Sequence, residues 1–252
     1  MAPRKRIKIG IVFALREETR GLERVFSESR LPSYTQDGHI IWHMGDVEIL
    51  LSIGGIGRNR CAMATENLIR SGAHCILCAG FATGLDPTIE VGDVIIANKV
   101  VAVDGILTDP IHCHIRLISS APPSGKFGYV IRHGDITTSD VVLSSVSEKT
   151  EAYRRTGGAA LDMESYSAGE VCSRQGVPFE AIRSISDRAD EDLPESIKNL
   201  IDIKSSLGQF FFIISKPEMW FPLMRLRSQT RTAADNLGEV LGLMLLRLVR
   251  AT

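Results

Sequence analysis

Two patterns of apolar and polar positions alternate along the chain: short unbroken apolar runs, and longer stretches that are apolar on one side only. Ile7–Ala14 (IKIGIVFA) is a run of the first kind, rich in β-branched residues, and predicts a buried first strand. Arg16 to about Glu28 is of the second kind, with Leu22, Val25 and Phe26 on one helical face. HIIWHM and VEILLSI, separated by Gly45-Asp46, predict a hairpin. A helix is expected from about Asn59 to Ser71, and buried strands at Cys75–Ala79 and Val94–Ala97. Lys99–Arg132 alternates enough for further strands, with Ala121–Gly125 as a loop. The strand FGYVIRH leads into a polar segment, Gly134–Asp140, and then a helix near Val141–Tyr153. Leu161–Asp190 reads as a strand end, a helix, a turn and a second buried strand, PFEAIRSIS. A final helix of about 30 residues runs to Arg250. Strands alternating with helices predict one α/β domain around a mixed, twisted sheet, spanning 1–252 with an extended helical tail from about 205.

Composition narrows the class. At 252 residues, 44% hydrophobic and 23% charged, the chain is ordinary for a soluble globular protein, and its net charge of -1 argues against a nucleic-acid binder. The basic start MAPRKR runs straight into a strand pattern without an apolar signal region, and no apolar stretch reaches the ~18 residues of a spanning helix. Five cysteines without framework spacing suit a reducing cytoplasm.

The candidate chemistry lies in carboxylates at strand ends. Glu164 stands where a strand gives way to a helix, and Asp187 at the carboxyl end of the next strand; ligands of open α/β sheets collect on that rim. Each also has a structural reading, Glu164 as a first-turn helix acid and Asp187 as an N-cap. Glu17 and Glu18 occupy the same kind of rim after the first strand. Cys75 and Cys78 form a CxxC, but on a strand residues three apart face opposite ways, so core cysteines are expected. His112, Cys113 and His114 lack a further ligand at recognisable spacing, and no metal site is expected. Gly54–Gly57 fails the dinucleotide fingerprint, because its third glycine falls on Arg60, and predicts instead a tight loop with amides facing ligand or water.

Four segments in order, KIGIVFALREE, GIGRNRCAMAT, AGFATGLDPTIEVGDVII and LDMES…VPFEAIRSISDRAD, resemble the nucleoside phosphorylase/nucleosidase superfamily, most of all the methylthioadenosine/S-adenosylhomocysteine nucleosidases. The likeness runs from about Ile7 to Asp190. It implies a three-layer α/β/α fold, a homodimer, and cleavage of the N-glycosidic bond of a purine nucleoside with neither cofactor nor metal. By the same resemblance Glu164 holds the ribose hydroxyls with Met163 beneath the sugar, and Asp187, oriented by Ser186, meets the purine at N7 and the exocyclic amine. Glu18 activates the water, Arg183 lies near water and sugar, and Thr137 and Thr138 belong to the segment whose backbone meets the base. The chemistry agrees, since a proton at N7 improves the leaving group and carboxylates stabilise a cationic sugar.

Departures keep alternatives open. Phe81 stands where nucleosidases carry a small polar residue near the water, and Arg58 and Arg60 read either as phosphate ligands of a phosphorylase or as solvated helix-face residues. A non-catalytic purine-nucleoside binder is a further alternative, one that would not need all three acids. The tail concentrates Phe210, Phe211, Phe212, Trp220, Phe221 and Leu223 before Arg225, Arg227 and Arg231. That pattern reads either as core or subunit interface, or as a peripheral membrane contact that accepts a hydrophobic 5′ group; it also resembles the tail of the hopanoid-biosynthesis nucleosidase/phosphorylase branch, which implies a hopanoid-linked adenosine.

Overall fold

The computed structural model describes residues 6–103, 107–113, 128–193 and 220–251, with side chains described only for 228–247 in the last of these. At its centre is a ten-stranded mixed sheet. β1 (Ile7–Phe13) lies between β4 (Val47–Ile53) and β5 (Cys75–Gly84), parallel to both. β3 (His39–Met44) pairs antiparallel with β4 across the expected Gly45-Asp46 turn, and the exposed β2 (Ser33–Gln36) forms the edge. On the other side the sheet closes on itself. β5 pairs with β10 (Phe179–Asp187), β10 with β6 (Val94–Ala102), β6 with β8 (Ile131–Thr138), β8 with β9 (Ala160–Asp162), and β9 again with the end of β5. A two-residue β7 (Ile111–His112) adds to β6.

Alternation along β1 assigns the two faces. Ile9, Ile11 and Phe13 join a core covered by Leu22 and Phe26 of α1 (Arg16–Glu28) and Leu237 and Leu241 of the C-terminal helix α5 (Trp220–Ala251). Val12 joins a second core beneath Cys61 and Leu68 of α2 (Arg58–Arg70) and Ala168 and Cys172 of α4 (Ser165–Gln175). The result is three layers, α/β/α, as the resemblance implies. A smaller cluster seats Ala152 of α3 (Val146–Thr156) on Leu85 and Leu161. α1 and α5 meet backbone to backbone, since a Cβ at Gly238 would overlap Gly21.

Cys75 packs toward the α1/α5 core and Cys78 toward the α2/α4 core, the opposite-face placement expected of the CxxC, and all five cysteines are free thiols. Among the described residues no group of three potential ligands is placed to hold a metal ion, and no helix is long and apolar enough to cross a membrane. The loop expected at Ala121–Gly125, His114, the aromatic run Leu207–Ser215 and the side chains of Trp220, Phe221, Leu223, Arg225 and Arg227 lie outside the described residues.

Candidate active site

The parallel strands β1, β5 and β10 end on one rim, and β9 delivers its own carboxyl end to the same place. There a cavity of about 210 Å³ is lined by Glu18, Phe81, Met163, Glu164, Ser186 and Asp187, among others. Other clefts, of about 480 and 570 Å³, bring no buried carboxyl groups together.

Glu18 sits in the first turn of α1 and is 3% exposed, whereas Glu17 faces solvent. Its Oε2 accepts the N–H groups of Ala14 (2.9 Å) and Leu15 (2.8 Å), and its Oε1 that of Phe81 (2.9 Å). Burial raises its proton affinity above the ordinary carboxyl value, against the pull of Arg183 and those three N–H groups. Phe81 therefore contributes its backbone N–H to Glu18 and is also part of the cavity lining.

Glu164 occupies the N-cap position of α4, but its side chain does not cap the helix. That work falls to Asp162, which accepts from the N–H groups of Glu164 and Ser165 and from the Ser165 hydroxyl. Freed from the helix end, Glu164 accepts the Gly57 N–H at 2.8 Å, which spends on a carboxylate an amide that the sequence reading left for ligand or water. Gly57 has φ +97°, a conformation that favours glycine. Burial pushes Glu164 up to about 7, opposed by Arg183 and the Gly57 N–H and reinforced by Asp162 and Glu18.

Arg183 lies behind the cavity, fully buried, with Nε 2.6 Å from Asp162 and Nη2 3.9 Å from Glu164. Ser165 Oγ and Cys78 Sγ complete its surroundings. One guanidinium thus faces three carboxyl groups in a buried setting, where burial raises the proton affinity of Glu18 and Glu164 and the pull of Arg183 opposes it.

Asp187 closes β10 at a bulge. Ile185 pairs with Ala82 and Asp187 with Thr83, leaving Ser186 as the extra residue, so that both Ser186 and Asp187 border the cavity. Asp187 Oδ1 accepts from Thr83 Oγ1 (3.1 Å) and Ser186 Oγ (2.9 Å), and its Oδ2 from Lys149 Nζ (2.7 Å). No helix begins after it within 188–193, so it is not an N-cap.

Six of the sequence-selected residues thus line one cavity, and Arg183 backs it. Thr137 and Thr138 do not line it. Thr137 bonds Thr156 at 2.9 Å, and Thr138 bonds Asp162 at 2.6 Å and so steadies the cap of α4. Arg58 is engaged with Asp140 at 2.9 Å and with the Thr138 carbonyl, while Arg60 is exposed and lies against Gly55. Sequence reasoning passed over Lys149, Asp162, Thr83 and Gly80. Asp162 had a readable signal, an acid just before a helix start, but a lysine inside an ordinary amphipathic helix has none.

The family model of the Phosphorylase superfamily matches residues 8–207. The 5′-methylthioadenosine/S-adenosylhomocysteine nucleosidase of Mycobacterium bovis is 26% identical over 229 residues, covering 74% of this chain and 88% of that protein. The corresponding nucleosidase of Staphylococcus aureus is 26% identical over 213 residues, 77% of this chain and 92% of that one. Among solved structures, futalosine hydrolase of Helicobacter pylori shares the fold with a TM-score of 0.72 at 22% identity, over 95% of this chain and 97% of that one. A nucleosidase of Colwellia psychrerythraea in complex with adenine gives 0.71 at 21% identity, over 95% of each chain.

Proposed function

The chain belongs to the Phosphorylase superfamily, and from that premise we propose that it hydrolyses the N-glycosidic bond of an adenine nucleoside such as methylthioadenosine or S-adenosylhomocysteine. The observation that carries this reading is the convergence of three buried carboxyl groups, Glu18, Glu164 and Asp187, on one cavity.

Scission leaves positive charge on the sugar and negative charge on the base. Glu164, oriented by the Gly57 N–H, faces the sugar hydroxyls and opposes the positive charge. Glu18, held by three backbone N–H groups, takes the proton of the attacking water; burial raises its proton affinity and so makes it a stronger base. Asp187 meets the edge of the purine that carries N7, where a proton shared with the ring nitrogen lets the base leave neutral. Met163, Phe81, Leu15 and Ile56 give the remaining wall an apolar character suited to a thioether 5′ group.

Water is favoured over phosphate for a physical reason. A phosphate dianion entering this cavity would approach Glu18 and Glu164, and like charges at close range in a poorly solvated site repel strongly. The test is to incubate the protein with methylthioadenosine, adenosine and inosine, with and without phosphate, and to follow free base. Release of adenine at the same rate in both buffers is the expected result. Release that depends on phosphate would make the enzyme a phosphorylase, and tight binding without any release would make it a nucleoside-binding protein.

A further inference from the structure

Asp162 borders the cavity, but its own carboxylate is committed elsewhere. The side chain is wholly buried. Oδ1 accepts from the Thr138 hydroxyl at 2.6 Å and from the Glu164 N–H at 3.3 Å, while Oδ2 accepts from the Ser165 hydroxyl and stands 2.6 Å from Arg183 Nε. Because Ser165 donates its proton to Asp162, its oxygen meets Arg183 as an acceptor, 3.0 Å from Nη2. Cys78 Sγ accepts from the same nitrogen at 3.2 Å. The guanidinium nitrogen nearest Glu164 is therefore occupied, and it stops 3.9 Å short of Glu164 Oε2, beyond hydrogen-bond distance. Glu164 Oε1 holds the Gly57 N–H, and among the described residues Oε2 accepts no hydrogen bond.

We infer that Asp162 is a positioning residue that holds Arg183 off Glu164, so that Glu164 Oε2 stays open to accept a sugar hydroxyl. Opposite charges in a poorly solvated site attract strongly, and Arg183 without Asp162 finds its next carboxyl group at Glu164. Closing that gap would put a guanidinium N–H on the oxygen that the substrate needs. Asp162→Asn removes the restraint with little change of shape. The amide oxygen can keep the bonds of Thr138 and the helix N–H groups, but the amide nitrogen cannot accept from Arg183 or Ser165.

This inference rests on the proposed N-glycosidic hydrolysis, and the experiment separates the two. Base release from methylthioadenosine and from its 2′-deoxy and 3′-deoxy analogues, and equilibrium binding of free adenine, are measured for wild type, Asp162→Asn and Ser165→Ala, with a thermal melt of each protein. The intrinsic lability of each sugar is the same for every protein. The ratio of kcat/KM values, ribose over deoxy sugar, therefore reports the hydroxyl contact once variant and wild type are compared. Asp162→Asn should lower that ratio at least about tenfold for one of the two hydroxyls, the effect of losing a hydrogen bond to a charged group, with adenine binding unchanged. A purely structural role would depress all three nucleosides and adenine alike and leave the ratio as in wild type, which overturns the inference. Should Asp162→Asn fail to fold, Ser165→Ala decides. It releases Nη2 but keeps the buried charge pair, so the ratio should fall at least about threefold, and a ratio equal to that of wild type overturns the inference. Wild type that releases no adenine from any of the three nucleosides overturns the proposed function and this inference with it. Adenine release by wild type with unchanged ratios in both variants overturns only the role of Asp162.

Discussion

At the scale of single residues, the site is governed by how far burial raises the proton affinity of its carboxyl groups against the pull of one buried arginine. Glu164 is pushed up to about 7 and Glu18 is raised as well, each chiefly by burial. A group whose folded value is raised keeps a proton that the unfolded chain gives up. The resulting stability is present at low pH and lost as pH rises toward the folded value. Glu164→Gln imitates the protonated form and does not titrate. The thermal midpoint of this variant minus that of wild type, without ligand, should therefore grow between about pH 5 and pH 7; a constant or shrinking difference would show that burial does not raise Glu164 in this way. Activity runs the other way, because Glu18 must be ionised to take a proton from water, so kcat/KM should climb as pH rises through the raised Glu18 value. Asp187→Asn should cut turnover roughly 10²-fold while purine binding survives better, and unchanged turnover would take Asp187 out of the mechanism. Gly80 is the least conspicuous member of the site. A Cβ there would overlap Arg183 Nη1 and stand 2.7 Å from Glu18 Oε1. Gly80→Ala should cost about 1–3 kcal/mol and most of the activity, measured by denaturant titration and base release.

At the scale of elements, the sheet reads more easily in the sequence than the contacts between its parts. β1, β5 and β10 are legible because strands buried on both faces must be apolar runs, and the β3/β4 hairpin because Gly45-Asp46 is turn chemistry. β2 is invisible to that reasoning, since all four of its residues are exposed and polar or aromatic. β6 continues to Ala102, past the expected Ala97, by a register shift between Ala97 and Val100 that no hydrophobic pattern encodes. α3 starts at Val146, not at Val141, because Ser145 and Glu148 form a capping box. In the site, Glu18, Glu164 and Asp187 were accessible as acids at strand ends. The bulge at Ser186 and the reach of Lys149 were not, because both depend on what lies opposite in space. The α1–α5 contact is of the same spatial kind: Gly21 and Gly238 are unremarkable glycines in sequence, yet the two helices touch through them. Gly238→Leu should wedge the helices apart and lower the thermal midpoint, by roughly 2–4 °C for each kcal/mol lost. A midpoint equal to wild type would show that the contact can open without cost.

At the scale of the whole molecule, the question is whether the C-terminal region is an appendage, as a tail beginning near 205 would be, or a part of the fold. The described half of α5 gives a physical answer. Leu237, Val240, Leu241, Met244 and Leu245 are only 0–3% exposed and lie in the same core as Ile9, Ile11 and Ile49. Asn236 donates to the Gly92 carbonyl at 2.9 Å, and Thr230 borders the cavity. Burying a large aliphatic side chain is worth roughly 1.5–3 kcal/mol, so these five together supply on the order of 10 kcal/mol. A domain of this kind has only about 5–15 kcal/mol of net stability in all. A chain ending at residue 219 should therefore lose the cover of one sheet face and fail to fold, giving insoluble protein or a soluble product without a cooperative thermal transition. The face of α5 from Ala233 to Leu245 is committed to α1 and the sheet, and that face is therefore not open to the membrane contact expected from the aromatic run. A truncated protein that melts cooperatively and still releases base would make α5 an accessory, and would require another element to cover Ile9, Ile11 and Leu22.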